Sequence, residues 1–146
     1  MRAPVPSFPA PSESYDARNE AEFRRAVERA IQEAIRYVIQ PRVASVTLPS
    51  GSSNDYEVGE WTSILRVSPD AAGSTLTGVA GGITARNILV VNVGSTSLTL
   101  AHQSASSTAG NRLLAETGAD VVLGANDAVD ILYDATTERW RILPLT

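Results

Sequence analysis

His102 is the only histidine in a chain of 146 residues that contains no cysteine. Metal sites built on several histidines or on thiolates are therefore excluded. Leu98, Leu100 and His102 alternate, which puts the imidazole on one face of a strand with two leucines. A histidine hydrogen-bonded at the edge of a core is the expected reading; a general base would need partners that the alternation does not supply. Asp127, Asp130 and Asp134 form one acidic run, and Asp55, Glu57 and Glu60 another. Either run has the residue types for a glycosidase carboxylate pair or for oxygen ligands to calcium. Neither has the Asp-x-Asp-x-Asp-Gly register of a calcium loop, and solvated turns and strand ends account for both. Serine, histidine and aspartate are all present without a Gly-x-Ser-x-Gly elbow. "GVAGG" (78–82) is a turn signal rather than a phosphate cradle. All twelve basic residues are arginine, so no lysine is available for Schiff-base chemistry. Trp61 and Trp140 have faces that could stack on sugars, but both lie in strand patterns, and core packing is expected for each. These residues predict no catalytic group, no metal ligand and no cofactor.

From Val43 onward the apolar period is two. "VASVTL" (43–48), "WTSILRVS" (61–68), "STLTGV" (74–79), "RNILVVNV" (86–93), "SLTLAHQ" (97–103), "DVVL" (120–123), "AVDILYD" (128–134) and "RWRIL" (139–143) read as strands. Turn residues at Ser50-Gly51, Gly81-Gly82, Val93-Gly94-Ser95 and 124–127 separate them. Short strands at such spacing predict a mainly β domain over residues 42–146, an antiparallel β-sandwich or jelly-roll-like head. Ile88 to Val91 are apolar on both faces, which predicts a central strand or a subunit interface. A four-residue loop at 135–138 would set Tyr133 opposite Trp140, Ile131 opposite Ile142 and Asp134 opposite Arg139.

Residues 16–41 carry a different period. Phe23, Val27, Ala30, Ile31, Ala34, Ile35 and Val38 recur at threes and fours, predicting an amphipathic helix from Asn19 to Gln40. Asn19 and Glu22 make a capping-box-like pair. Arg24–Glu28 and Arg29–Glu33 are spaced for ion pairs, and Pro41 stops the helix. The apolar stripe buries against the β domain or against identical helices. Its breadth favours the second, with Phe23, Val27, Ile31, Ala34, Ile35 and Val38 as a trimer interface. Residues 1–15 contain Pro4, Pro6, Pro9 and Pro11, which favour an extended arm over packed structure. A disordered terminus is one reading. The other is a plug for another protein's groove, with Val5 and Phe8 as apolar anchors stiffened by Pro6 and Pro9.

Hydrophobic residues make up 43% and charged residues 19%, a globular balance. Residues 1–42 carry a net charge of +1 and residues 43–146 one of −5. An acidic main domain without a basic cluster argues against nucleic acid as a partner. No stretch has the length of a membrane span or a signal peptide, so no membrane partner and synthesis in a cytoplasm are expected.

"NRLLAETGADVVLGANDAVDILYDATTERWRIL" (111–143) resembles the C-terminal β module of tailed-bacteriophage fibre and spike proteins. The shared features are the Asn-Arg-apolar start, the Thr-Gly-Ala-Asp turn, the Tyr-Asp hairpin and the Arg-Trp-Arg strand. "TLTGVAGG" (75–82) and "ILVVNVGSTSLTLAHQSASSTAGNR" (88–112) look like earlier strands of that module. "YDARNEAEFRRAVERAI" (15–31) is similar to the helix that precedes it in phage and gene-transfer-agent virion proteins. "LGANDAV" departs from the Pro-Gly turn more usual there. The resemblance implies a homotrimeric, non-enzymatic virion protein and carries over no catalytic residue. Arm, helix and head then form an anchor, a stalk and a tip: a capsid fibre, spike or decoration protein made in a bacterial host and located on the virion. Its expected partners are its own copies and the capsid or the tail and portal-vertex proteins. A tail fibre or baseplate tip that binds a host receptor or glycan is the alternative, and a polysaccharide depolymerase a remote one.

Overall fold

The computed structural model describes residues 17–39 and 42–143. By its contacts the chain divides into two compact units, Met1–Gln40 and Pro41–Thr146. The first holds one helix, α1 (Ala17–Ile39). It begins two residues before Asn19, which therefore lies in the first turn and not at the cap. Arg24 pairs with Glu20 (Nη2 to Oε1, 2.7 Å) rather than with Glu28. Glutamate four residues before arginine is the orientation that also suits the helix dipole.

The second unit contains twelve short strands. They are β1 (Arg42–Leu48), β2 (Gly51–Ser53), β3 (Tyr56–Glu57), β4 (Thr62–Pro69), β5 (Ser74–Leu76), β6 (Val79–Ala80), β7 (Asn87–Asn92), β8 (Leu98–Leu100), β9 (Leu113–Ala115), β10 (Val121–Leu123), β11 (Ala128–Asp134) and β12 (Arg139–Leu143). Successive strands turn onto different faces instead of folding back in hairpins. β1, β4 and β7 stack in parallel, as do β2, β5 and β8, and β3 with β6. Val43 pairs with Ile64, and Gly51 with Ser74, so each coil lies above the corresponding part of the one before. The unit is a β-solenoid, with the parallel stacking and the repeat length of over twenty residues that such folds share.

The expected antiparallel sandwich or jelly roll is therefore incorrect. Alternation of apolar and polar residues reports a half-buried strand and is blind to the direction of its neighbour. Antiparallel pairing is confined to the C-terminal part. There, β11 lies against both β7 and β12, and β10 lies against β8. β9 returns to parallel pairing at the end of the six-stranded sheet β1-β4-β7-β11-β12-β9.

Inward side chains from successive coils form aliphatic stacks, with Leu65 beside Val90 and Leu76 beside Leu100, all essentially buried. Trp140 closes the stack from the last hairpin. Its ring is fully buried, meets Tyr133 edge-on at 5.3 Å between centroids, and donates Nε1 to the Val79 carbonyl at 2.7 Å. The hairpin register is Tyr133–Trp140, Ile131–Ile142 and Asp134–Arg139, as its cross-strand pairs predict.

Polar groups at the corners are spent on backbone. The Asn92 amide, fully buried, donates to the carbonyls of Thr96, Leu123 and Gly124, while its oxygen accepts from the Gly94 amide. Arg86 ties the turn after the first coil to the turn after the second by donating to the Gly59 and Gly81 carbonyls. Burial lowers its pKa, opposed by the charge of Glu60. Gly78 lies where the second coil meets the 107–111 segment. A Cβ there would fall 2.6 Å from Ser107 and 2.7 Å from the Asn111 carbonyl, so only glycine fits without a shift.

Candidate functional site

His102 is half-buried, and its Nδ1 accepts the Ala115 amide at 3.0 Å. Its own amide donates to Asp120 Oδ1 at 2.7 Å. The imidazole thus fastens the end of the third coil to β9, the core-edge role expected of it. With Nδ1 accepting, the proton of a neutral ring resides on Nε2.

The two acidic runs do not converge. Asp55 has a positive φ of 46°, and its carboxylate accepts the Thr108 amide and hydroxyl and the Asn111 side-chain amide. These bonds, Asn111 foremost, hold the carboxyl below its ordinary pKa. Ser107 Oγ accepts the Asp55 amide and sits 2.8 Å from buried Thr77 Oγ1, which donates to Asn54 or the Ser53 carbonyl. Asp55 thereby pins the 107–111 segment onto the first coil. Asp127 Oδ2 accepts the Gly124 amide and closes its own turn. Asp134 accepts the Thr136 amide at 2.9 Å and Arg141 Nε at 2.7 Å. The opposite-charge contact thus runs diagonally to Arg141, while Arg139 Nε donates to Gln103. No group of three or more His, Asp or Glu among the described residues is arranged to hold a metal ion.

The tryptophans separate. Trp140 is core, as expected, whereas Trp61 is 49% exposed, and its expected core position is incorrect. β4 begins at Thr62, so Trp61 belongs to the preceding turn, where the strand alternation does not reach.

Of the stripe on α1, Phe23, Ile31 and Ile35 are each close to half-exposed and Ala34 is also exposed, while Val27 is partly buried. The side chain of Val38 and the arm residues Val5, Pro6, Phe8 and Pro9 lie outside the described residues. On the β unit, a shallow groove of about 480 Å³ is lined by Leu114–Glu116 and Arg141–Leu143. A smaller one of about 100 Å³ lies beside Val121 and Val129. Sequence reasoning passed over both grooves, since β9 is three residues long and has no readable period.

The polar groups described above serve turns and joints between coils. They offer no nucleophile held against a base. Among the described residues, exposed apolar surface includes the helix stripe, Trp61, Ile83, Val122 and the ends of the large sheet at Val43 and Leu143. Neither a protein-family model nor a curated protein sequence matches the chain.

Proposed function

We propose that this chain is a structural virion protein, a homotrimeric head fibre, spike or decoration protein held to its particle by the N-terminal arm, with no enzymatic activity of its own. The observation that carries the reading is a β-solenoid whose corner side chains Asn92, Asp55 and Arg86 bond its own turns, preceded in the chain by a 23-residue helix with an exposed apolar stripe. A stack of coils is a stiff spacer, and a stripe on a separate helix is a means of joining copies. The resemblance of residues 111–143 to phage fibre modules points the same way. Proline fixes φ, so an arm rich in it has less conformational entropy to lose on docking.

Deleting residues 1–15 is expected to leave a folded oligomer that no longer decorates particles. Phe8→Ala is expected to weaken attachment more than any single proline replacement. Normal occupancy by the truncated protein, read as density on purified particles, refutes the anchor. The exposure of Trp61 favours one second reading, a glycan-binding tip. Binding on a carbohydrate array separates it from a purely structural spike.

A further inference from the structure

We propose that His102 is an acid-sensitive clasp on β9, closed while its ring is neutral and opened when the ring becomes charged. β9 pairs with β12 along one edge. Along its other edge the chain of the third coil makes a single parallel bridge, His102 with Leu113, and the Gln103 amide donates to the Leu113 carbonyl at 2.8 Å. Gln103 has a positive φ of 48°, which turns the chain away from β9 after that one bridge. A strand that continued would present a backbone carbonyl to Ala115. The imidazole takes its place, with Nδ1 accepting the Ala115 amide at 3.0 Å. Ala115 is buried, so water is a poor substitute for that acceptor.

The switch follows from the donors and acceptors of the ring. A neutral imidazole has one N–H and one bare nitrogen, whereas the imidazolium has two N–H groups and no acceptor. Protonation at Nδ1 therefore sets one donor against another and breaks the tie to Ala115. A backbone carbonyl in the same place would keep its lone pairs at every pH. Histidine is the side chain that ordinarily changes charge between about pH 5 and 8. The charged side chains on the segments that meet His102 are Arg112 and Glu116 beside β9, Asp120 beyond it, and Arg139, which donates to Gln103. Arg112 is engaged with the Ser107 carbonyl. Of these four, Asp120 alone hydrogen-bonds His102, accepting its amide at 2.7 Å. Its negative charge favours the charged ring and so assists opening. The clasp is closed at neutral pH and lost as pH falls, which loosens the strand that supplies Leu114–Glu116 to the larger groove.

Because His102 is the only histidine, labelling the full chain with nitrogen-15 histidine reports on one ring. At about pH 7.5 its spectrum is expected to show Nδ1 bare and Nε2 protonated. A proton on Nδ1 at that pH removes the acceptor and overturns the clasp, as does a ring still neutral at about pH 5.5. Amide hydrogen exchange reads the consequence, expressed as protection factors so that the intrinsic pH dependence of exchange cancels. Between these two pH values the protection of the Ala115 amide is expected to fall about fivefold or more. That of Val90, on β7 between β4 and β11, is expected to stay within about twofold. A fall no larger at Ala115 than at Val90 overturns the proposal. In His102→Gln the fall at Ala115 is expected to vanish, since a carboxamide has no charge to gain. Ala115 left unprotected at both pH values in this variant also shows no fall, and agrees with the imidazole as its acceptor. A fall that persists assigns the sensitivity to another group and overturns the clasp. Neither measurement depends on copy number or on the virion reading.

Discussion

Trp140 couples two properties of its residue type, a large apolar surface and one donor. The ring fills the end of the stack, and Nε1 satisfies a carbonyl of the second coil. Trp140→Ala is expected to cost about 3–5 kcal/mol in chemical denaturation. Trp140→Phe keeps most of the volume but strands the Val79 carbonyl, at about 1–3 kcal/mol. Asp134 gives the fold an acid limb. Arg141 first, then Thr137, hold its carboxyl down at about 2, below the ordinary 3.8. A folded-state pKa below the unfolded one contributes stability that is complete above about pH 4 and is lost as pH falls towards 2. Asp134→Asn is expected to flatten this part of the stability profile, measured as melting temperature between pH 5 and 2.5. An unchanged slope assigns the acid limb to other carboxylates. The backbone register around these residues was legible because Tyr133, Trp140, Ile131 and Ile142 leave one low-energy alignment. The diagonal reach of Arg141 was not, since a long side chain chooses among neighbours by local geometry. The role of Asp55 was hidden for a similar reason, its partners lying more than fifty residues away.

At the scale of elements, the helix was readable because its period persists over about four turns. If its exposed stripe joins copies as proposed, Ile31→Asp is expected to separate them, since each copy would bury an unpaired carboxylate at the joint. Sedimentation equilibrium at micromolar concentration is expected to shift to the mass of one 15.5 kDa chain, with helix content retained. An unshifted mass places the joint elsewhere. The longer strands were also visible, β11 and β12 to the residue. β2 and β3, three and two residues long, are too short to show a period, and they supply the turns onto the second and third faces. Without them the remaining strands read as a meander, which is how the parallel coils came to look antiparallel. The outward apolar residues of β7 were visible too, since "ILVV" is apolar on both sides whatever its partners.

For the whole molecule, the helix and the solenoid are two compact units, so the proposed joining and spacing are expected to be separable by substitution. On the proposed reading, substitutions on α1 are expected to act on association, and those in the stack on folding. The order in which the chain is made adds a further constraint. β7 pairs with β4 on one side as soon as it is complete, but its other side waits for β11, which begins at residue 128. At about 5–20 residues per second, the ribosome delivers that partner roughly 2–7 s after residue 92. Throughout that interval the nascent protein presents an unpaired strand edge, apolar above and below, while α1, the proposed joining element, has already been made. For the proposed oligomer, synthesis on a crowded message would set recruitment of the correct copies in competition with edge-to-edge aggregation.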